Sequence, residues 1–472
     1  MATSAITAPT YDPTSTAKAM ADKYMDAAQT QLTNQTNTAT ATAKALSSLG
    51  SAISDFQTSL ASFAGIGKSM LAQSAVVSDT SVGTASAKST APAGTYSLFV
   101  QQVATSSQVS YNSLADGAAL GGKLTINLAD EGAGTNTAHF DVNLDATADT
   151  DHDGKLSVRE IAAAINTAGG NTGLVSAGVV TVSGMPRLVL SSKNTGVANT
   201  VSVDGSNATD AGLQAGFGAR TIVKNAQDAI VWLGDPTDPA ATKIQQASNT
   251  FTNIDGVSFT ATHAQAPGDD PVTLTVGSDD NGTKSNLQAF VDAYNKLKST
   301  LDGLVAPGDP TNNVAAGAFA HDSGILALRD RLVSALRPAN GLSLASYGVV
   351  AARDGTISLD SDRLQAQLAV NPTGLGTLIG NASIAAPTGI AGSLNAYLNK
   401  WSNATNGQLK QRTDANTKLQ SGLTQRQTDL NTKYDSAYQR YLKQYTDLQA
   451  LQAKMQQNSS MFTALFSSDS SN

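Results

Sequence analysis

The stretch LNTKYDSAYQRYLKQYTDLQALQAKM, residues 430–455, decides how the chain reads. Leu430, Tyr434, Ala437, Tyr441, Tyr445, Leu448 and Met455 recur there at steps that align side chains along one face of a helix. Leu409, Leu419 and Leu423 come before the stripe, and neither Pro nor Gly interrupts it after Gly422. The spacing predicts one long helix, and its row of tyrosines asks for more partners than a single chain offers. The run MFTALFSSDSSN, residues 461–472, adds an apolar cluster of Met461, Phe462, Leu465 and Phe466 ahead of a polar tail.

Working outward, the other end carries a matching stripe in ALSSLGSAISDFQTSL, residues 45–60. Leu46, Leu49, Ile53, Phe56, Leu60 and Phe63 alternate in steps of three and four, which also calls for a partner helix. The two ends are therefore expected to meet. From Thr16 to Thr42 the same register holds mostly Ala, Gln, Thr and Asn, so this half is expected to order only on assembly. Between the ends, about Val76 to Val276, the period becomes two, as in TYSLFVQQV (95–103), KLTINL (123–128), RLVLSS (187–192) and VTLTV (272–276). These predict strands bounded by Gly, Asn and Pro turns, with Glu160 to Ala168 the one helix inside the block. The helical period returns from Leu287 to Leu304, a stripe that reads as ordinary core. Helices are also expected around Asp322 to Leu336, after Asp360, and from Gly389 to Trp401.

Composition narrows the function classes. A chain of 472 residues can bury more than one core. A net charge of -7 argues against a nucleic-acid partner, because phosphate binding needs a concentrated basic face. Only 14% of residues are charged, while Ala, Ser, Thr, Asn and Gly abound, as suits a protein facing the medium. No cysteine is present, so disulfides and thiolate metal sites are excluded. The opening MATSAITAPTYDPTSTAKAM does not read as a secretory signal, and no apolar run is long enough to span a bilayer. Export of an unfolded chain through a narrow channel fits both facts.

The order and wording of several segments resemble the flagellar hook-associated protein 2 family, the filament caps, over nearly the whole chain. The pieces include ALSSLGSAISDFQTSL (45–60), GTYSLFVQQVATSSQV (94–109), EIAAAINTAGGNTGLVSAGVV (160–180) and MPRLVLSSKNTGVANTVSV (185–203). Later come NAQDAIVWLG (225–234), FTNIDGVSFTAT (251–262), LQAFVDAYNKLKSTL (287–301) and SYGVVAARDGTISLDSDRLQAQLAVNP (346–372). Two departures stand out: LGDPTDPAATKI replaces the usual Asn-Gly turn after Trp232, and an acidic loop precedes the Glu160 helix.

The resemblance implies an α+β fold with a long helical coiled-coil layer from both chain termini and inserted β-rich domains forming a projecting head. The expected domains are terminal helical segments at 1–44 and 425–472, flexible in the monomer, and a helical leg at 45–79 and 284–424. The head would hold a β-rich domain at 80–115 and 221–283 and an inserted β-rich domain at 116–220. The implied role is a structural cap at the distal, extracellular end of the filament, secreted and not an enzyme. It would form a ring, most often a pentamer, that folds and docks exported flagellin beneath it and prevents its loss. Hook–filament junction proteins and a cytoplasmic export chaperone at the carboxyl-terminal region are further implied partners. The oligomerisation surface is assigned to Leu46, Leu49, Ile53, Phe56, Leu60 and Phe63, and to Leu430, Tyr434, Tyr441, Tyr445, Leu448, Met455 and Phe462.

One motif stands out on chemical grounds, DTDHDGKLSVRE at 149–160, which fits the calcium-loop pattern. Asp149, Asp151 and Asp153 would supply oxygens, Lys155 its carbonyl, Ser157 a direct or water-bridged contact, and Glu160 a closing bidentate carboxylate. A structural calcium is the one cofactor this admits; none is required. The competing reading is an acidic turn that caps the Glu160 helix. The related RDGTISLDS (353–361) lacks the earlier ligands and reads as a hairpin turn leading into a helix. GIGKS (65–69) lacks the first glycine and the preceding strand of a phosphate loop. His139, His152, His263 and His321 have no partner at ligand spacing. A calcium-dependent secreted adhesin would keep the β-rich block and its loop but leave the terminal stripes unexplained. A secreted hydrolase would need an acid, base and nucleophile set, and none is visible.

Overall fold

The computed structural model describes residues 11–130, 135–337 and 343–468, apart from the side chains of 135–137 and 465–468. Its helices are α1 (Pro13–Ala64), α2 (Val158–Thr167), α3 (Ala211–Gly218), α4 (Asp280–Val305), α5 (Ser323–Ser334), α6 (Ser361–Val370), α7 (Gly374–Ile379), α8 (Gly389–Ser402) and α9 (Gln408–Ser468). The chain divides into two compact units, one of Met1–Ile66 with Lys284–Asn472 and one of Gly67–Thr283.

In the first unit, α1 starts where Asp12 accepts hydrogen bonds from the Thr14 and Ser15 N–H groups and Pro13 takes the first helical position. Both satisfy the open donors of a first turn. The helix then runs unbroken for 52 residues and contains the whole of Thr16–Thr42. Its second half is core: Leu46, Leu49, Ile53, Phe56, Leu60 and Phe63 are all buried. Phe56 and Phe63 close on Phe290 of α4, with ring centroids 6.4 and 6.2 Å away. Each such buried side chain contributes about 1.5–3 kcal/mol of transfer free energy, which fixes this end of α1 firmly. Gln57 adds a 2.7 Å hydrogen bond to Asn395 of α8.

The hairpin Val349–Ala351 with Ile357–Leu359 packs beside α4, where Asn295 exchanges hydrogen bonds of 2.7 and 2.9 Å with Ile357 and the buried Tyr294 donates to the Gly355 carbonyl. Asp360 then caps α6, so RDGTISLDS is the hairpin and helix start that its sequence reads as. Burial, with Asp302 adding to it, pushes the Tyr294 phenol upward. Asp322 caps α5 and is clamped from the other side by the Arg412 guanidinium, which lies 5.5 Å from the centre of the buried Trp401 ring.

The second unit is antiparallel β with two hydrophobic cores. In one, a five-stranded sheet in the order Ala72–Val77, Val272–Asp279, Gly94–Gln102, Ala229–Leu233 and Thr242–Gln246 shares a core with the sheet of Thr250–Phe251, Val257–Ala261 and Gly83–Ala87. In the other, a four-stranded sheet runs Arg220–Lys224, Ser106–Tyr111, Met185–Thr195 and Val175–Val182. The three strands Thr200–Asp204, Lys123–Asp130 and Thr135–Asn143 form its second sheet, and α2 and α3 complete it. Alternation in Lys123–Asp130 turns Leu124, Ile126 and Leu128 inward, as a half-buried strand requires. Tyr111 meets Phe217 edge to face at 5.1 Å, and its hydroxyl accepts from the Val203 N–H.

Periodicity predicts one helix in this block, and the structure has α3 as well. Its sequence, AGLQAGFG, has too few apolar residues to show a stripe. What holds it is local: Asp210 caps its first turn through the Leu213 N–H, and Leu213 and Phe217 are buried.

Candidate functional site

Helices α1 and α9 pack antiparallel within the first unit, and their register can be read from side chains. Tyr11, just before α1, donates to the Tyr445 carbonyl at 3.0 Å and meets its ring edge on at 5.7 Å. Gln29 and Gln427 exchange amide hydrogen bonds of 3.1 and 3.0 Å, and the buried Asn416 donates to the Ala39 carbonyl at 3.0 Å. The seam between these ties is thin. Ala17, Ala21, Met25, Leu32 and Ala39 are buried on α1, against only Leu423 and Ala437 on the facing stretch of α9. Small side chains let two helices approach closely but bury little area each.

The predicted interface residues separate into three groups. Leu46, Leu49, Ile53, Phe56, Leu60 and Phe63 are consumed by the chain's own core, with no face left for another copy. Leu430, Tyr434, Tyr441 and Tyr445 are half-buried along the α1 seam. Leu448, Met455 and Phe462 are exposed, Met455 at 63% and Phe462 at 61%. Beyond Tyr445 the described part of α1 has ended, and from Thr446 to Ala464 every residue except the half-buried Gln452 is exposed. The stretch 446–463 is about 27 Å of helix on which every side chain but that of Gln452 is exposed. Leu451 and Met461 lie exposed on it too, while the Leu465 and Phe466 side chains fall outside those described.

Among the seam residues that the sequence does not single out, Tyr438 and Arg440 stand on α9. Tyr438, half-buried beside Ala21 and Met25, follows Tyr434 by four and could have been found from that step. Arg440 sits 5.9 Å from the Tyr24 ring centre and 5.0 Å from that of Tyr441, bridging the helices by cation–π contact, for which a lone arginine gives no sequence signal.

The acidic loop is the second candidate. Asp149, Asp151 and Asp153 bring one carboxylate oxygen each within 4.8 Å of the others. The turn is made by His152 and Gly154, both at positive φ (63° and 81°), and Asp149 accepts from both of their N–H groups at 2.7 and 2.9 Å. Asp151 accepts from the Asp153 N–H and Asp153 from the Lys155 N–H, so the loop is cross-tied by its own backbone. Lys155 and Leu156 pair with Ala118–Ala119 in a two-stranded ladder.

Glu160 is outside the carboxylate cluster. One of its oxygens accepts from the Thr150 and Asp151 N–H groups, the other from the Ser157 N–H and hydroxyl, while Ser157 in turn accepts from the Glu160 N–H. This is a capping box on α2 with an added clamp on the loop. The Ser157 N–H, joined by the Ser157 hydroxyl and the Thr150 and Asp151 N–H groups, outweighs desolvation and holds the Glu160 carboxyl at about 2. The structure thus unites three of the six predicted ligands and gives Ser157 and Glu160 to the helix cap.

Two long helices from the two ends of the chain, packed antiparallel in one unit with a β unit inserted between them in sequence, define the class of fold to which the chain belongs. The chain matches the model of the flagellar hook-associated protein 2 N-terminus over residues 10–107 and that of its C-terminus over 226–457. It is 33% identical over 387 residues to the lateral flagellar hook-associated protein 2 of Vibrio parahaemolyticus, covering 80% of this chain and 83% of that protein. With the B-type flagellar hook-associated protein 2 of Pseudomonas aeruginosa the identity is 30% over 444 residues, covering 90% and 89%. The chain belongs to the flagellar hook-associated protein 2 family, a family of flagellar structural proteins and not of enzymes. Its fold resembles the crystal structure of the flagellar cap protein FliD D1-D2-D3 domains from Escherichia coli, with a TM-score of 0.56 at 24% identity over 79% of this chain and 99% of that one. Residues 108–225, which hold the acidic loop, fall between the two family matches.

Proposed function

We propose that this chain caps the distal end of a bacterial flagellar filament from outside the cell, as a ring of copies, most often five, that folds and docks exported flagellin and prevents its loss. One observation carries the reading: the exposed apolar face of α9 beyond Tyr445, continuous with a thin α1 seam. A face carrying Leu448, Leu451, Met455 and Phe462 has high free energy in water and low free energy against a neighbouring helix. A seam built on alanines lets go at small energetic loss, so the terminal helices act as legs that bind, release and step as subunits insert, in a coiled-coil layer completed by other copies. Before export the same face needs shielding, which is the part a cytoplasmic chaperone would play. Hook–filament junction proteins would be its first neighbours. No observation favours the adhesin reading.

Deleting residues 446–472 leaves the paired seam intact and tests the role directly. The expected result is loss of swimming with unpolymerised flagellin in the medium, and unaltered swimming would contradict it.

The loop at 149–160 belongs to the same proposal as a structural calcium site. Three converging carboxylates are hard oxygen donors that repel one another without a cation. Asp149, Asp151 and Asp153 would hold the ion and stiffen the start of α2. Calorimetry with calcium chloride in the millimolar range should show uptake that Asp149→Ala removes; no uptake, or uptake untouched by that change, ends the idea.

A further inference from the structure

The strand Val175–Val182 is an edge of its four-stranded sheet, paired on one side only, with Met185–Thr195. A two-residue turn joins them, Ser183 and Gly184 both at positive φ (52° and 81°), so Val182 and Met185 form the closing pair. In that ladder Ser176, Gly178, Val180 and Val182 bond to the neighbouring strand, and Val175, Ala177, Val179 and Thr181 turn their N–H and C=O groups to the open side. Half of that open side is closed by asparagines. The Asn171 side chain bonds both the N–H and the C=O of Val175, and the Asn166 side chain of α2 does the same for Ala177. Each amide imitates one residue of an added strand. Nothing among the described residues does this for Val179 or Thr181.

The open half also lacks every ordinary protection of an edge. Its strand, VSAGVVTV, has no charge, no Pro and no bulge, whereas the opposite edge, Arg220–Lys224, has a cation at each end and a register shift between Ile222 and Lys224. Beside it Val180 and Met185 stand out into solvent, 51% and 63% exposed, with Val182 next to them.

We propose that this open half-edge docks a second copy of the chain, strand against identical strand, antiparallel about a two-fold axis at Val180. Self-pairing is favoured because one register meets every constraint. Centred on Val180, it sets Val179 opposite Thr181 of the other copy and Thr181 opposite Val179, so both free residues are used, with about four hydrogen bonds formed. Val180 then faces Val180 in a non-hydrogen-bonded pair, and Val182 of each copy lies over Gly178 of the other, where a Cβ would meet nothing within 4 Å. Pairing stops where Asn166 closes Ala177. No like charges meet across the contact, in contrast to Arg220–Lys224 against itself, which would oppose two cations at both ends. The contact is far smaller than a stable interface needs, so it is a concentration-dependent association of heads. Being two-fold, it joins free copies or two rings and cannot be the head-to-tail contact that closes one ring. It stands apart from the cap reading, and either can fail alone.

The chain has no cysteine, so Val180→Cys introduces a single thiol at the axis. Non-hydrogen-bonded antiparallel pairs bring Cα atoms to about 4.5 Å, within disulfide range. Mild oxidation should link Val180→Cys into a covalent dimer about tenfold faster than Val76→Cys, an exposed site that reports random collision. Adding Thr181→Pro removes the outward N–H without touching the ladder and should return the rate to that of the control. Equal rates at 180 and 76, or a fast rate that survives Thr181→Pro, would overturn the proposal.

Discussion

Glu160 shows how one side chain can serve a different purpose from the one its position in a motif suggests. The run from Asp149 to Glu160 fits a calcium loop, yet Ser157 and Glu160 also spell a capping box, and in the folded chain the box has them. The two patterns overlap in sequence, so only the geometry separates them: the aspartates converge, while the glutamate turns to the backbone of Thr150, Asp151 and Ser157. Glu160→Ala should lower the stability of the second unit by about 1–2 kcal/mol at neutral pH, measured by urea unfolding. Because folding moves this carboxyl from its ordinary 4.5 down to about 2, the contribution is complete above pH 4.5 and fades as pH falls toward 2. Wild type and variant should therefore converge in stability across that window; a difference that stays constant from pH 7 to 2 would exclude the charged clamp. Arg412 is a second single-residue joint, its guanidinium fork on Asp322 and its face toward Trp401. Arg412→Lys keeps the charge but loses the fork and the stacking, and a fall of about 1 kcal/mol in the stability of the first unit is expected by the same method.

At the scale of the element, α1 is two helices in energetic terms. The half from Leu46 to Phe63 announced itself by period because bulky apolar residues occupy every inward position. The half before it did not, because alanine carries too little hydrophobicity to mark a face, even though Ala17, Ala21 and Ala39 are buried. The short helix α3 was hidden for a related reason, its glycines and alanines giving no stripe. Strand alternation was readable wherever one face was core, as in Lys123–Asp130. Hydrogen exchange should reflect the division of α1. Amides of residues 14–31 are expected to exchange by local opening well before those of residues 46–63, whose opening needs the core around Phe290 to break. Uniform protection along α1 would contradict the thin-seam description. Leu423→Ala, which removes one of the few large side chains in that seam, should speed exchange in the seam and leave Leu46–Phe63 unchanged.

Over the whole molecule, the terminal stripes that looked alike in sequence turn out to differ in kind. The amino-terminal stripe is buried inside the chain, while the carboxyl-terminal one is half-buried up to Tyr445 and, among the described residues, exposed at Leu448, Leu451, Met455 and Phe462. Periodicity shows that a face is apolar but not what covers it, which is why the sequence could not tell a core from an assembly surface. In the proposed cap, that exposed apolar face drives copies together. Sedimentation velocity over a range of protein concentrations, with the full chain beside a chain ending at Tyr445, tests it most directly. The full chain is expected to shift toward a closed assembly larger than a dimer as concentration rises, and the shortened chain to lack that species. Assembly of the shortened chain to the same size at the same concentrations would contradict the account.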